Sequence, residues 1–187
     1  MIGRQEEIAI LDSVQKTHKS AFVAVYGRRR VGKTYLVRQF FNDQFIFQVT
    51  GLANVKLPQQ LTNFHSALIR AFPDLEDKPV AKDWFQAFQY LITALEQDDS
   101  PQKILFIDEL PWFDLPKSYF IASLEHFWNS WASARQDILL IVCGSAASWM
   151  INNLINNRGG LHNRVTHNLI IEPFTLAESE AFFKAKS

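Results

Sequence analysis

Between residues 27 and 34 the chain reads Gly27-Arg28-Arg29-Arg30-Val31-Gly32-Lys33-Thr34, and no other stretch narrows the possible folds as much. It fits Gly-x-x-x-x-Gly-Lys-[Ser/Thr], a loop that wraps phosphate groups. Glycine has no Cβ, so successive backbone N–H groups can turn inward and form an anion-binding nest. The lysine supplies a point charge to the outer phosphates, and the hydroxyl after it can ligate Mg²⁺. The flanks agree. Ala21-Phe22-Val23-Ala24-Val25-Tyr26 is a mostly apolar run of strand type. From Thr34 to Phe41 the spacing is helical, with Leu36–Phe40 and Val37–Phe41 each four apart and so each sharing a face. A strand, a glycine loop and a helix N-terminus in that order aim the positive end of the helix dipole at a bound anion. The plainer alternative, a basic surface turn, does not account for the flanks.

Composition sets limits around that loop. With 187 residues, 48% hydrophobic and 13% aromatic, the chain can bury the core of one α/β domain and does not read as disordered. Lysine plus arginine and aspartate plus glutamate number 19 each, so no global charge draws it to nucleic acid or an anionic membrane, although a local patch stays open. The one cysteine, Cys143, rules out an internal disulfide framework and suits a reducing compartment. Met1-Ile2-Gly3-Arg4-Gln5-Glu6-Glu7 has no signal-peptide architecture, and no apolar run reaches the ~20 residues of a bilayer span. The expectation is a soluble, cytoplasmic protein with no membrane partner. Five histidines are scattered without metal-ligand spacing to Cys143, so no metal site built from protein ligands alone is expected.

Along the chain, strands and helices alternate. Gln5 to His18 carries Ile8, Leu11 and Val14 on one helical stripe. After the glycine loop, Phe45-Ile46-Phe47-Gln48-Val49 reads as a second strand broken by Thr50-Gly51. Pro58 suits a first helical position, and Leu61, Phe64, Leu68 and Phe72 trace that helix's buried face. Residues 73–82 read as a surface loop. Asp83 is an N-cap for a helix burying Trp84, Phe88, Leu91, Ile92 and Leu95. Ile104-Leu105-Phe106-Ile107 is continuously apolar, as in a central parallel strand. A helix from about Tyr119 to Arg135 turns its aromatics inward, and Ile138-Leu139-Leu140-Ile141-Val142 is another central strand, ending in Cys143-Gly144-Ser145. A helix from about Ser148 through Ile155 stops at Arg158-Gly159-Gly160, and Leu169-Ile170-Ile171 is a last strand. Thr175-Leu176-Ala177-Glu178 is a capping box that opens a final helix. Such alternation gives a parallel sheet with helices on both faces. Ligands of these sheets sit at the carboxyl ends of the strands, where the glycine loop, Asp108-Glu109 and Ser145 all fall.

Four apolar residues followed by Asp108-Glu109 form a second chemical signature. An acid at a strand end can hold Mg²⁺ or its waters, which suits Asp108. Glu109, one residue on, suits a base or orienting group for an attacking water. Acids also close strands simply because the chain meets solvent there. The glycine loop upstream favours the chemical reading.

Ile2-Gly3-Arg4-Gln5-Glu6-Glu7, Tyr26 through Thr34 and Ile107-Asp108-Glu109-Leu110-Pro111-Trp112 together resemble the archaeal-type AAA+ ATPases of archaea and bacteria. Val142-Cys143-Gly144-Ser145 and Gly159-Gly160-Leu161-His162-Asn163-Arg164 fit the same pattern, so the resemblance covers nearly the whole chain. It implies an α/β P-loop NTPase core of AAA+ (ASCE) type over residues 1–187, with ATP and Mg²⁺ as cofactors. The implied sheet has five parallel strands in spatial order 5-1-4-3-2. Gly3 and Arg4 would lie near the adenine, with Gly27, Arg28, Arg29, Arg30, Val31, Gly32, Lys33, Thr34 and Tyr35 around the nucleotide. Thr34 and Asp108 would serve the metal. Lys33, Glu109, Ser145 (in the sensor-1 position) and Arg164 would be the catalytic set. Family members continue into a helical lid and a winged-helix or nuclease-like region, which the end at Ser187 is read as leaving out.

Two functions compete at this point. One is Mg²⁺-dependent ATP hydrolysis driving or switching an unknown partner, and the other is a non-hydrolysing ATP-binding switch or scaffold, with association to DNA as one form of it. Glu109 favours hydrolysis, because a pure binder has no need of it, whereas a missing lid favours the switch. A small-molecule kinase would need an acceptor site and an arginine-rich lid, and no such insertion is seen. Expected partners are ATP and ADP, further copies of the chain, and a DNA or protein partner met through a C-terminal region. Several residues keep a second reading. Ser145 could be a helix N-cap, and Arg28, Arg29 and Arg30 solvated. Arg164 could be an exposed neighbour of Glu172, with Arg158 competing for its role. Cys143 reads as a core residue, and Trp112-Phe113 as either an exposed contact or a loop anchor.

Overall fold

Five strands carry the fold in the computed structural model, which describes residues 3–17, 19–156, 161 and 163–174. They are β1 (Ala21–Tyr26), β2 (Phe47–Thr50), β3 (Lys103–Asp108), β4 (Ile138–Gly144) and β5 (His167–Ile170), all parallel in one sheet. Their order is β2-β3-β4-β1-β5, the expected 5-1-4-3-2 read from the other edge. β1 and β4 are the most apolar runs and are buried at every position. A strand covered on both faces has no use for polar alternation. Pairing puts Tyr26 level with Gly144 and Thr50 level with Asp108, so the chain leaves β1, β2, β3 and β4 along one edge of the sheet.

Successive side chains of a strand point to opposite faces, and the two faces are filled differently. On one, α3 (Leu57–Ala71), α4 (Trp84–Gln97) and α5 (Phe120–Ser130) pack an aromatic-rich core against Phe22, Phe47 and Leu140. Trp84 stands edge-on to Phe64, Phe113 and Phe120, with ring centroids 5.6, 5.4 and 5.0 Å away. On the other face, α1 (Gln5–Lys16) and α2 (Lys33–Phe40) bring Leu11, Val14, Leu36 and Val37 onto Val23, Val25 and Phe106. Asp83 caps α4 as its sequence suggests, its Oδ1 accepting from the Gln86 N–H at 2.8 Å.

Element boundaries depart from the sequence reading where long-range contacts decide them. β2 begins at Phe47 and continues through Thr50 instead of breaking there, and the Gly51 N–H still donates to the Asp108 carbonyl at 2.9 Å. α3 ends at Ala71, with Phe72 as its C-cap. α5 begins after Tyr119, whose φ is 58°, and stops at Ser130. A 3-10 turn, Ala132–Ala134, follows it, and the Arg135 guanidinium stacks back on the Trp131 ring at 4.8 Å. After β4, four α-helical residues (α6, Ala147–Met150) run into a π-type segment, Ile151–Ile155. His18, Arg158-Gly159-Gly160, His162 and the capping box at Thr175 with its helix lie outside the described residues. Among the described residues, no helix is long and apolar enough to cross a membrane.

Candidate functional site

The turn from β1 into α2 depends on two glycines. Gly27 has φ 150°, and a Cβ there would stand 2.2 Å from the Ile171 carbonyl oxygen. The chain beyond β5 therefore lies directly against the loop, and the Ile171 N–H donates to the Tyr26 carbonyl at 2.8 Å. Gly32, at φ 92°, occupies the N-cap of α2 in the left-handed region, where glycine carries no Cβ penalty.

Lys33 opens α2 and is buried, at 6% exposure. Its Nζ donates to the carbonyls of Gly27 (3.1 Å) and Arg28 (2.9 Å). An ammonium has three N–H donors, so the loop takes two. None of the ion pairs among the described residues includes Lys33. A buried charge without a counter-ion is costly, and here the charge lies against the glycine loop, whose carbonyls it bonds.

The next residue joins the two sequence signatures. Thr34 Oγ1 donates to Asp108 Oδ2 at 2.9 Å, tying the start of α2 to the end of β3. Asp108 is 6% exposed, and its Oδ1 accepts from the Glu109 N–H at 2.9 Å. Burial pushes its carboxyl above the usual carboxylate range, the two hydrogen bonds oppose that, and the Glu109 charge adds to it while Lys33 subtracts. Hydroxyl and carboxylate oxygens meeting beside a glycine loop fit Mg²⁺, which takes few protein oxygens and keeps waters and phosphate oxygens for the rest. Among the described residues no three His, Cys, Asp or Glu side chains group as a metal cluster.

Glu109 follows with φ 49°, and its Oε2 accepts from the Ser145 hydroxyl at 2.8 Å. Ser145 comes directly after β4, the strand between β1 and β3. It is not the N-cap of α6, a position held by Ala146 without a side-chain bond. A cavity of about 370 Å³ is bounded by Arg29, Arg30, Gly32, Lys33, Thr34, Tyr35 and Glu109. Glycine-loop residues and the acid after β3 thus share one space. Arg28, Arg29 and Arg30 are exposed, and Tyr35 is 65% exposed.

Arg4, in contrast, is engaged by protein groups. Its guanidinium donates to the carbonyls of Val31 (3.1 Å) and Glu172, pairs with Glu7 at 3.2 Å and lies 4.5 Å over the Phe174 ring. With Gly3 at φ 71° before it, it pins the glycine loop to the chain after β5. Arg164 is exposed in a turn whose N–H bonds to the Leu161 carbonyl at 3.0 Å. Its pairing with Glu172 does not form among the described residues, and no described contact brings it to the loop. Of the aromatic pair, Phe113 is fully buried and anchors its loop, whereas Trp112 is half-buried. Cys143 is fully buried, and burial raises its thiol well above the ordinary value. Sequence reasoning passed over Gln60, which is 0% exposed and bonds to Leu52 and Trp112. Its one signal was a polar residue set beside Leu61 on the apolar face of α3.

A family model described as an ATPase domain predominantly from Archaea matches residues 1–187. The chain belongs to that family. Two proteins of Methanocaldococcus jannaschii are similar to this ATPase domain. An uncharacterized protein is 25% identical over 183 residues, covering 97% of this chain and 38% of its own length. An uncharacterized ATP-binding protein is 38% identical over 45 residues, 24% of this chain and 76% of its own. Among solved structures, a Walker-type ATPase of Pyrococcus abyssi superposes with TM-score 0.70 at 19% identity, over 99% of this chain and 57% of that one. Cdc6p from Pyrobaculum aerophilum gives 0.65 at 16% identity, over 98% of this chain and 49% of that one. Drosophila ORC bound to DNA gives 0.68 at 15%, over 98% of this chain and 46% of that one. These likenesses establish the fold, a five-stranded parallel α/β sheet shared with these three proteins. The ATPase domain spans well under two thirds of the first relative and of all three structures.

Proposed function

We propose that this domain binds ATP with Mg²⁺ and hydrolyses it. The observation that carries the reading is the Lys33 ammonium, buried in a glycine loop with no carboxylate partner among the described residues and next to the Thr34–Asp108 pair. In this reading the backbone N–H groups of residues 27–34 hold the phosphates, and Lys33 places its free N–H toward the β- and γ-oxygens. Thr34 and Asp108 hold the magnesium, which when bound neutralises charge developing on the phosphates. Glu109 orients a water and takes its proton, and Ser145 fixes the carboxylate that does so. Arg29, Arg30 and Tyr35 border the space the nucleotide fills. Arg4 and Gly3 hold the loop from behind while lying toward the adenine.

The Ser145–Glu109 bond also supports a second reading, in which Glu109 stays engaged and the domain is a nucleotide-dependent switch or scaffold. The partners proposed here, a further copy of the chain or a DNA or protein target met through a C-terminal region, belong to either reading. So does a cytoplasmic location. Calorimetric titration with ATP and Mg²⁺ tests the core of the proposal. Binding by the parent protein that is lost in Lys33→Ala is the expected result. Equal affinity in the two proteins would remove the glycine loop from the account.

A further inference from the structure

Gln60 sits inside α3 with 0% exposure. A buried amide must find partners for both its oxygen and its nitrogen, and Gln60 finds them on two separate loops. Its Oε1 accepts from the Leu52 N–H at 3.2 Å. Its Nε2 donates to the Leu52 carbonyl at 2.7 Å and to the Trp112 carbonyl at 2.8 Å. Leu52 lies two residues beyond β2, and Trp112 lies three residues beyond Glu109. One side chain therefore sets the spacing between the turn after β2 and the turn that follows Glu109.

Those two turns meet closely. A Cβ on Gly51 would stand 2.6 Å from the Glu109 carbonyl oxygen and 2.9 Å from Trp112 Cβ. The Gly51 N–H donates to the Asp108 carbonyl at 2.9 Å, and the Trp112 N–H to the Glu109 carbonyl at 3.0 Å. Glu109 between them has φ 49°. A left-handed conformation is disfavoured for a residue with a Cβ, and persists where its surroundings over-determine it. Here the surroundings are Gly51 on one side and the Gln60-anchored Trp112 turn on the other.

We infer that Gln60, acting through the Gly51-Leu52 turn and the Trp112 carbonyl, is a positioning residue that holds the Glu109 backbone so that its carboxylate borders the Lys33–Thr34 cavity. Ser145 holds the other end, at Oε2. The inference rests on reading Glu109 as the group that acts on water, and it adds a residue that touches neither nucleotide nor metal.

The test is ATP turnover and ATP affinity, both with Mg²⁺, for the parent, Gln60→Met, Gly51→Ala, Glu109→Gln and the double variant Gln60→Met/Glu109→Gln. Methionine keeps the length of glutamine but cannot make the three bonds. Displacing a reacting group by about 1 Å can cost on the order of 10²-fold. The expected result is a kcat about that much lower in Gln60→Met and lowered also in Gly51→Ala, with nucleotide affinity retained. The double variant should turn over no more slowly than Glu109→Gln alone, because the positioned group is already gone. A loss from Gln60→Met that is as large in the Glu109→Gln background as in the parent would overturn the inference. So would parental kcat in both single variants. If Gln60→Met does not fold, as judged by circular dichroism, Gly51→Ala tested in the same two backgrounds decides by the same criterion. Parental turnover in Glu109→Gln defeats the reading of Glu109 itself, a result distinguishable from failure of Gln60 alone.

Discussion

The Ser145 hydroxyl donates a 2.8 Å hydrogen bond to Oε2 of Glu109, joining the residue after β4 to the residue after β3. A hydroxyl and a carboxylate of the site thus come from strands that are neighbours in space and far apart in sequence. In the hydrolysis proposal it is the other carboxylate oxygen of Glu109 that meets water.

Removing that bond should act on turnover and spare binding. A hydrogen bond to a charged group contributes about 1.5–3 kcal/mol, so Ser145→Ala should lower kcat by about 10- to 10²-fold. ATP affinity by calorimetry should stay at the parental value. Unchanged turnover would make Ser145 a structural residue, and faster turnover would make the bond a restraint on Glu109.

Far from the site, Asp137 binds Arg135 in a fork, with both N–H···O distances 2.7 Å, and also accepts from the buried Lys103 at 2.9 Å. The Arg135 hydrogen bonds first, and Lys103 after them, hold its carboxyl at about 2 against an ordinary 3.8. Because the folded value is the lower one, the stabilisation is present above pH 3.8 and is lost as pH falls from there through about 2. With the Asp137 side chain 20% exposed, screening reduces the contribution to roughly 1–2 kcal/mol. Urea unfolding of the parent and Asp137→Asn at pH 5 and pH 2 checks this. The variant should be less stable at pH 5 and should lose less on acidification. Equal acid-induced losses would remove Asp137 from the account.

The fold and the turn geometry of the glycine loop were legible in the sequence because their signals are local. Glycine at positions 27 and 32, apolar runs at β1, β3 and β4, and an acid pair at the end of β3 each follow from conformation or burial at the residue itself. Strand order came from the resemblance, since periodicity does not order strands. Gln60 was illegible because it bonds to Trp112 across 52 residues, and no spacing rule encodes a side chain meeting a distant carbonyl. Arg4 was expected near the adenine, and the sequence did not show that its guanidinium also bonds the Glu172 carbonyl, a partner that appears only once β5 is placed beside β1. At the early end of α5 a distant partner is again present, the Trp131 indole N–H donating to Glu96 at 2.8 Å across 35 residues.

Arg164 remains exposed and outside the cavity. We propose that it acts on the nucleotide of a second copy. An arginine supplied in trans can raise phosphoryl-transfer rates by about 10³–10⁵, so turnover per chain should climb as protein concentration passes an assembly transition followed by light scattering. Arg164→Ala should flatten that climb while leaving ATP affinity in place. Constant turnover per chain across the transition would exclude a trans-acting arginine.

The most direct test of the hydrolysis proposal is Mg²⁺-dependent phosphate release from ATP by the parent and by Glu109→Gln at matched nucleotide occupancy. Loss of a general base costs on the order of 10²-fold or more. A fall of that size is the expected result, with ATP binding preserved because Lys33, Thr34 and Asp108 are untouched. Phosphate release by Glu109→Gln at the parental rate would contradict it, leaving Glu109 as the end of a strand and the domain as a binder of ATP.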